Sequence, residues 1–519
     1  MASQLAPQPL FAALVEALGE AAVITAGDRL DYLAADVYRT GGLPIAAIRP
    51  TSVPALQAAV RHCAAAGVAM IPRGGGASYT DGYIRPEGGH VLVDTGAFDS
   101  IDIDEANAVV TVGAGVTWAN LKTALAARGL RTPFWGPFSG LAATVGGSVS
   151  QNTLSHGSSA HGISAQSVLS LDVVLASGEL LSTGTASALR YYGPDLTGLF
   201  TGDCGALGIK VAIRLPLLPV LPHAETLSFA FDSFAQFHAA ARRAQLERLD
   251  DSWFAIDMAL SQGQIARQEG MGARLQIAAA VLRKSPDKLK GMAQVLRMAL
   301  AGENPMRAGD YMLHFIVEGF DPADAAHKAR HLRRVLDGIG REIANTVPAF
   351  VRSLPFAPLF NILGPGGERW VPLHGVLAHD QAVPFDNAFK ALVAARQAEM
   401  DRHGVWLGTM FSPAAQVGFL YEIALYWPDS RNAFHDTTLG AEYLTGIRTF
   451  PEDKAARDFV ERLKGELVDL YQDHGAGHFQ IGRAYPYQQR LAPAARRLLG
   501  AIKTELDPRG LMNPGVLGL

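Results

Sequence analysis

The chain is poor in cysteine, with only Cys63 and Cys204 among its 519 residues. Two cysteines cannot build a disulfide framework, and neither has a second cysteine at the C-x-x-C spacing of a structural zinc site. We therefore expect no metal centre and a reducing environment for this protein.

Long apolar runs and a basic leader are also missing. Gly, Pro or charged residues interrupt the apolar stretches well before the ~20 residues that a membrane-spanning helix needs. The first residues, MASQLAPQPLFAALVEALGEAA, contain no basic segment and have the pattern of an amphipathic helix. These features predict a soluble, cytoplasmic protein without a signal peptide or a membrane partner.

The chain also has no large excess of charge of one sign. It contains 45 Lys and Arg residues and 49 Asp and Glu residues, which gives a net charge of −4. Such a chain has no positive field to attract phosphate backbones or anionic lipid, so nucleic acid and membrane-surface partners are not expected. Charged residues make up 18% and hydrophobic residues 49% of the sequence. A chain of this length and composition must bury a large core, which favours two domains.

The pattern along the chain changes near residue 220. Residues 1–220 alternate short β-like runs with helical periods and are punctuated by glycine clusters. Residues 221–474 carry longer helical patterns that alternate with strands such as YMLHFIVEGF, WVPLHGVLAH and FLYEIALYW. These textures predict an α+β protein with two tightly joined domains, because the join contains prolines but no polar spacer.

Three separate elements rich in small residues lie in the first of these parts. The first is Arg73-Gly74-Gly75-Gly76-Ala77-Ser78-Tyr79-Thr80, directly after an apolar strand. Successive glycines let backbone N–H groups turn toward one concavity, which suits a diphosphate group. The second is ATVGGSVSQN at residues 143–152, followed by two His-Gly pairs, and the third is GDCGALGI at residues 202–209. Neither a P-loop nor a G-x-G-x-x-G fingerprint is present.

With these motifs, the chain resembles the vanillyl-alcohol oxidase and p-cresol methylhydroxylase family of FAD-dependent oxidoreductases. The resemblance extends to LDVVLASGEL, PDLTGLFTGDCGALGI and the terminal DPRGLMNPGVLGL, in the same order and spacing. It implies a PCMH-type FAD-binding domain over residues 1–220, completed by the C-terminal segment 475–519, with residues 221–474 as an α+β cap domain over the substrate. The cofactor-binding residues it implies are Arg73, Gly74, Gly75, Gly76, Ala77, Ser78, Tyr79, Gly146, Gly147, Ser148, Asn152, His161, Ile209 and Asn513.

The chain departs from the family where flavin is attached covalently. Members that link FAD through the glycine loop carry His where this chain has Ala77, and a second linkage through Cys near Leu141 has no counterpart. A tyrosine ether, as in the methylhydroxylases, would fall on Tyr421. We expect FAD to be bound non-covalently.

The expected substrate pocket departs from the family as well. The Tyr-Arg pair that steadies a phenolate in the phenol oxidases is replaced by Phe479-Gln480, and the Asp beside the flavin by Ala143. Alternation along FLYEIALYW predicts that one of Tyr421 and Glu422 faces the pocket and the other faces away. His374, His478 and Glu422 are chemically competent bases, and Arg483 could bind an anionic group. The catalytic candidates are His374, Tyr421, Glu422, His478, Gln480 and Arg483.

The resemblance predicts an enzyme that removes a hydride from an alcohol or activated C–H carbon, in an aromatic or phenylpropanoid-like substrate, and passes the electrons to O2 or a protein acceptor. One alternative is an FAD-dependent 2-hydroxyacid dehydrogenase, although the metal-binding His segment and Glu-His-Gly element of those enzymes are missing. Another is a flavin-binding protein without turnover. Dimers are common in the family, so a homodimer is one of the oligomeric states left open.

Overall fold

A computed structural model describes residues 8–184, 190, 192–267, 292, 294–296, 307–357, 363–415 and 417–519. The N-terminal part contains two sheets. The first has the order β1-β2-β4-β3, with β2, β4 and β3 parallel and β1 antiparallel to β2. Its strands are β1 Val23–Ile24, β2 Ala46–Ile48, β3 Met70–Arg73 and β4 Val91–Asp94.

The second sheet is antiparallel and has the order β5-β6-β10-β8-β9. Its strands are β5 Ile101–Asp104, β6 Val109–Gly113, β8 Ser170–Val174, β9 Leu180–Ser182 and β10 Ile209–Pro216; the short strands β7 Leu130–Arg131 and β11 Leu218–Pro219 pair separately. The helices of this part are Gln8–Leu18, Asp28–Leu33, Val53–Ala66, Trp118–Ala126, Val145–Gln151, Ser158–His161 and Leu196–Leu199.

The helix Val53–Ala66 shows how local sequence signals fix the geometry next to the first glycine loop. Ser52 accepts a hydrogen bond from Ala55 N at 3.4 Å, and Pro54 lies in the first turn. Gly67 ends the helix in the left-handed conformation, with φ of +69°. The chain then enters β3, which delivers Arg73 and the glycine loop to the end of the sheet.

The C-terminal segment returns to the same sheet. The helix Pro493–Leu506 ends at Asp507, and the following residues run beside β3. Met70 N donates to Leu511 O at 2.7 Å, and Asn513 N donates to Met70 O at 2.8 Å. The last residues of the chain therefore lie next to the strand that precedes the first glycine loop.

The central part contains a seven-stranded antiparallel sheet with the order β15-β12-β14-β13-β17-β18-β16, which we call the cap sheet. Its strands are β12 His223–Phe231, β13 Ser252–Asp257, β14 Tyr311–Gly319, β15 Arg341–Ile343, β16 Arg369–Leu377, β17 Trp406–Ala414 and β18 Gly418–Trp427. The helices that follow β12 are Phe234–Glu247, Met258–Arg267, Pro322–Leu336, Thr346–Ser353, His379–His403, Ala433–Leu439, Ala441–Leu444, Lys454–Asp473 and, toward the C-terminus, Tyr487–Arg490.

The two faces of the cap sheet have different environments. Along β18, Phe419, Tyr421, Ile423 and Leu425 belong to the main hydrophobic core, together with residues of the helices Phe234–Glu247, His379–His403 and Lys454–Asp473. The alternate residues Leu420, Glu422, Ala424 and Tyr426 line a cavity on the opposite face. Strand alternation therefore separates a core face from a cavity face.

The mixed helix and sheet architecture confirms the predicted α+β class. None of the helices described here combines the length and apolar sequence needed to cross a membrane. Within the same residues, no three His, Cys, Asp or Glu side chains are grouped so that they could hold a metal ion.

Candidate active site

A cavity of about 490 Å³ lies between the N-terminal part and the cap sheet. The first glycine loop, the second small-residue element and residues 204–210 form its N-terminal walls. Strands β13, β17 and β18 and the helix Thr346–Ser353 contribute to the other side. All three glycine-containing elements of the sequence thus meet at one cavity.

The first glycine loop can approach the second element closely because it has no side chains there. A Cβ on Gly74 would lie 2.5 Å from Thr144 Oγ1, and a Cβ on Gly75 would overlap the carbonyl of Ala142. The backbone N–H groups of Gly75, Gly76 and Ala77 have no acceptor among the described residues. Unpaired N–H groups at a glycine loop that borders a cavity fit the oxygens of a diphosphate.

Arg73 anchors the start of this loop. Its side chain is buried, and Cζ lies 5.2 Å from the ring centroids of both Tyr32 and Tyr83. Nη1 donates to Gly74 O at 3.3 Å, whereas Nε and Nη2 have no hydrogen-bond partner in the part of the chain that is described. A buried guanidinium with donors to spare adds positive charge beside the glycine loop, as an anionic cofactor requires.

The second wall is the short helix Val145–Gln151. Thr144 caps it by accepting a hydrogen bond from Gly147 N at 3.2 Å. A Cβ on Gly146 would lie 2.6 Å from Ala114 Cβ, so glycine is needed for this helix to pack against β6. Gly146, Gly147 and Ser148 all line the cavity, as does Ile209 on β10.

Three predicted cofactor residues are not at the cavity wall. Asn152 ends the helix Val145–Gln151 in the left-handed conformation, and His161 Nε2 lies 3.4 Å from Arg131 Nη2. Asn513 Nδ2 donates to Gly82 O at 2.9 Å and to Cys204 O at 2.7 Å, which ties the C-terminal segment to the glycine loops. None of these three side chains lines the cavity.

The cap side of the cavity is mainly apolar and aromatic. Among the described lining residues, Glu422 is the only one that carries a carboxyl group. The Lys and Arg residues that the structure describes at the cavity wall are Arg73 and Lys210, and Lys210 Nζ is paired with Asp203 Oδ1 at 2.5 Å. The aromatic residues that line the cavity from the cap and its neighbourhood are Phe138, Trp253, Phe254, Phe350, Trp370, Trp406, Tyr426 and Phe479.

Glu422 has the electrostatics of a buried acid. Burial raises the pKa of its carboxyl group from the usual 4.5 to about 8. The structure shows no hydrogen bond or ion pair from the carboxyl group of Glu422 to any described residue. Its carboxyl group is therefore available to a molecule in the cavity, and close to neutral pH it can either hold or accept a proton.

Tyr421 points away from Glu422 and from the cavity. Its hydroxyl donates to Asp386 Oδ1 at 2.9 Å, and its ring lies 4.8 Å from that of Phe411 within the core. This placement corrects the inclusion of Tyr421 among the catalytic candidates, because alternation along β18 puts it on the core face. A flavin ether at Tyr421 is likewise incompatible with this position.

Of the other catalytic candidates, Gln480 lines the cavity and the remainder lie behind its wall. His374 contacts Tyr79, a lining residue, with 3.2 Å between Nε2 and Oη. His478 Nδ1 lies 2.7 Å from the carbonyl oxygen of His374. Arg483 donates to Asp81 O and Pro514 O at 2.7 Å and to Asn513 Oδ1 at 2.9 Å. It therefore anchors the C-terminal segment and does not face the cavity.

His156 is a cavity residue that the sequence analysis did not select. Its ring stacks on Trp135, with centroids 4.4 Å apart, and Nε2 lies 2.8 Å from the carbonyl oxygen of Pro355. A carbonyl only accepts, so Nε2 carries the hydrogen, and burial lowers the pKa of His156 to about 4. The imidazole is neutral with its lone pair on Nδ1. The His-Gly pair at residues 156–157, next to the second glycine element, was the available signal.

Comparison with known proteins agrees with this geometry. Residues 44–184 match a family model described as an FAD binding domain, and they include the first two small-residue elements of the cavity. The fold and the site together define an FAD-dependent oxidoreductase, which confirms the predicted enzyme class and cofactor.

Two curated relatives and one solved structure illustrate the range of similar proteins. Glycolate oxidase subunit GlcD of Bacillus subtilis is 31% identical over 191 residues, which is 37% of this chain and 40% of that protein. The chain thus spans less than half the length of this relative. D-2-hydroxyglutarate dehydrogenase of Xanthomonas citri pv. viticola is 32% identical over 477 residues, which is 91% of this chain and 89% of that protein. p-Cresol methylhydroxylase with bound substrate has a TM-score of 0.72 at 18% identity, covering 100% of this chain and 98% of that one.

The chain belongs to the family of PCMH-type FAD-dependent oxidoreductases.

Proposed function

We propose that this oxidoreductase oxidises an uncharged aromatic alcohol, or an activated C–H carbon next to an aromatic ring, with Glu422 as the group that accepts the substrate proton. The observation that carries the proposal is the single described carboxyl group within an aromatic cavity wall. Aromatic side chains offer stacking and edge contacts to an aromatic ring. This is the substrate class that the resemblance to the vanillyl-alcohol oxidase and p-cresol methylhydroxylase family implies.

Bound FAD supplies the hydride acceptor for such an oxidation. The glycine loop and Arg73 would hold its diphosphate through N–H donors, and the walls formed by Gly146, Gly147 and Ile209 leave room for a flat ring. We propose non-covalent binding, since Ala77 cannot form a linkage and Tyr421 lies in the core.

The protein's own contribution to the chemistry is to place a base and exclude water. Glu422 must be ionised to take the hydroxyl proton, and burial makes this carboxylate more basic than a solvated one. The apolar wall around it keeps competing water away, which strengthens each polar contact to the substrate.

A 2-hydroxy acid is the second candidate substrate, because a relative named D-2-hydroxyglutarate dehydrogenase is 32% identical over nearly the whole chain. The carboxylate of such a substrate would need a cationic side chain at the cavity wall to bind it. Arg352 Nη2 lies 3.9 Å from Glu318 Oε1, and Arg483 is engaged with the C-terminal segment. The cationic groups described at the cavity wall belong to its N-terminal side. These placements favour an uncharged substrate over an anionic one.

Anaerobic titration of the purified flavoprotein tests the proposal. We expect 4-hydroxybenzyl alcohol or coniferyl alcohol to bleach the visible flavin absorption, whereas D-lactate and D-2-hydroxyglutarate leave it unchanged. Bleaching by the hydroxy acids alone would replace the proposal by its second candidate. Protein that shows no reduction with any of these compounds, although FAD is bound, would support a flavin-binding role without turnover.

The same preparation addresses the remaining predictions. Acid precipitation should release yellow colour into the supernatant if FAD is non-covalent. Admission of air after bleaching distinguishes O2 from a protein electron acceptor, and light scattering distinguishes a monomer from a homodimer. Cytoplasmic localisation remains a prediction from the sequence.

A further inference from the structure

Three aromatic side chains lie next to one another across the cap sheet and line the cavity. Tyr426 on β18 is directly paired with Trp370 on β16 and with Trp406 on β17, so the three side chains leave the sheet on the same face. The rings of Trp406 and Tyr426 are stacked, with centroids 3.9 Å apart and an interplanar angle of 7°. We call these three residues the aromatic row.

The aromatic row lies on the same face of β18 as Glu422, but further along the strand. Glu422 and Tyr426 are four residues apart, which corresponds to about 13 Å of strand. Ala424 lies between them on this face, and its methyl group is the smallest side chain that β18 contributes to the cavity wall. Because all three residues line one cavity, that cavity extends from the acid, over Ala424, to the aromatic row.

A glycine in the neighbouring helix holds the aromatic row in place. The helix Met258–Arg267 contains Gly263, although glycine lowers helix stability relative to alanine. A Cβ on Gly263 would overlap the ring of Trp406. Glycine therefore lets the helix pack directly on the indole, which keeps Trp406 in its stack with Tyr426. The row is ordered before any ligand binds.

The surroundings of the aromatic row are apolar, but they do not cover it completely. Ile256, Leu260 and Met410 pack around the row and line the cavity with it. Trp370 and Trp406 nevertheless remain partly accessible. Aromatic faces that are left accessible inside an apolar cavity favour a flat, apolar ligand group.

The charges at the cavity wall lie away from the aromatic row. The Lys, Arg, Asp and Glu side chains that the structure describes at the wall are those of Glu422 and, on the N-terminal side, Arg73 and Lys210. None of them belongs to the row or to the residues packed around it. A charged ligand group would find no counter-charge there among the described residues, whereas an uncharged ring gains stacking or edge contacts.

We propose that the aromatic row is a second substrate subsite, which binds an uncharged second ring of the substrate while the reacting alcohol carbon lies beside Glu422. The preferred substrates are then two-ring aromatic alcohols, in which a short linker para to the alcohol group carries the second ring along β18. This inference rests on the proposed function, since it specifies the substrate class of the same cavity.

Two probes that share one reacting ring test the subsite. 4-Benzyloxybenzyl alcohol and 4-methoxybenzyl alcohol have the same alcohol group and the same para ether oxygen, and they differ by one phenyl group. Their dissociation constants from the holoenzyme come from the concentration dependence of anaerobic flavin reduction, or from perturbation of the flavin spectrum where no reduction occurs. We expect the two-ring probe to bind about ten- to hundredfold more tightly, the effect of burying one phenyl group. Equal dissociation constants would overturn the inference.

Gly263→Ala tests whether the aromatic row provides this difference. The added methyl group displaces the indole of Trp406, and alanine at the same time favours the helix, so we expect a folded protein that retains FAD. The two-ring probe should lose most of its advantage over the single-ring probe. Gly465→Ala is the matched control, because a Cβ there meets no atom within 4 Å in the helix Lys454–Asp473. A wild-type ratio of dissociation constants in Gly263→Ala would refute the role of the row.

Substitutions of Trp406 itself distinguish the loss of a ring from a general change in the cavity. Trp406→Leu removes the ring that stacks on Tyr426, so it should reduce the ratio as Gly263→Ala does. Trp406→Phe keeps an aromatic ring and should restore most of the ratio. Equal ratios in Trp406→Leu and Trp406→Phe would contradict a subsite built on aromatic contacts.

Ala424→Leu tests the path between the two ends of the cavity. The larger side chain fills the space between Glu422 and Tyr426, so the two-ring probe should lose its advantage although the aromatic row is intact. Ala455→Leu, at an exposed position, is the control. An undiminished ratio in Ala424→Leu would show that the second ring binds elsewhere. If this variant does not retain FAD, the result of Gly263→Ala decides.

The two proposals can fail separately, because binding is measured whether or not the flavin is reduced. Tighter binding of the two-ring probe, without reduction by either alcohol, would reject only the proposed function. Reduction by both alcohols at equal dissociation constants would reject only the inference.

Discussion

His374 on β16 and Glu422 on β18 are directly paired across the cap sheet, so their side chains leave the sheet on the same face. Tyr421, one residue earlier, is paired with Gly375 and lies on the other face. The register of these two strands therefore places Glu422 at the cavity and His374 on the same face of the sheet, in contact with Tyr79. The same register places Tyr421 in the hydrophobic core.

Glu422→Gln should lower the rate constant of flavin reduction by about a hundredfold or more, the usual effect of a lost general base. In the wild type, only the ionised carboxyl can accept the proton, so the rate constant should rise with pH through about 8 and then level off. Anaerobic stopped-flow reduction across this pH range measures both effects. Glu442→Gln, at an exposed position, is the control. A rising limb that persists in Glu422→Gln would assign the base to another group.

The same carboxyl group should affect stability in the opposite sense. Its pKa is raised from 4.5 to about 8 in the folded protein, so folding favours the protonated form. Its contribution is complete below pH 4.5 and is lost as pH rises through about 8. Thermal unfolding between these pH values should therefore show a smaller decrease in stability in Glu422→Gln than in the wild type. Equal decreases would mean that the carboxyl is solvated.

Tyr421→Phe should lower stability and leave flavin binding unchanged. The substitution removes a buried hydrogen bond to Asp386, at a cost of about 1–3 kcal/mol. Chemical denaturation measures the loss, and Tyr192→Phe, whose ring is 79% exposed, should show none. Colour retained in the acid pellet of the wild type but not of Tyr421→Phe would contradict the placement of this residue in the core.

Gly75→Ala should abolish FAD binding. A Cβ at this position overlaps the carbonyl of Ala142, which forces the glycine loop away from the second element. Gly500→Ala is the matched control, because a Cβ there meets no atom within 4 Å in the helix Pro493–Leu506. The ratio of flavin to protein after purification is the measurement. A yellow Gly75→Ala protein with full occupancy would show that this loop does not hold the cofactor.

Arg131→Met should destabilise the protein by about 3–5 kcal/mol, since it leaves buried charges unpaired. Arg131 pairs with Asp251 at 2.5 Å and with Glu318 at 2.9 Å, which joins the N-terminal part to the cap sheet. Arg128→Met breaks a pair with Glu105 in which both side chains are more than half exposed, and it should cost well under 1 kcal/mol. Denaturant titration measures the free energy of unfolding of both variants. Equal losses of stability in the two variants would refute the role of burial.

Much of the architecture could be predicted because its signals are local. Glycine runs need no distant partner to favour tight, ligand-cradling loops, and alternation along β18 correctly separated Tyr421 from Glu422. The positions of Asn152, His161 and Asn513 were not predictable in the same way. Each lies within a cofactor-type motif, yet whether it reaches the cavity depends on segments distant in sequence.

The sequence by itself determined the small-residue elements and the alternation of the cap strands, since these follow from backbone freedom and side-chain period, and its resemblance to a known family indicated the cofactor. The tertiary structure alone decided which face of β18 meets the cavity, and it brought His156 to the wall. It also decided the raised pKa of Glu422 and the burial of His374. These properties arise from burial and from hydrogen-bond partners up to 295 residues apart in the chain, as for Tyr79 and His374.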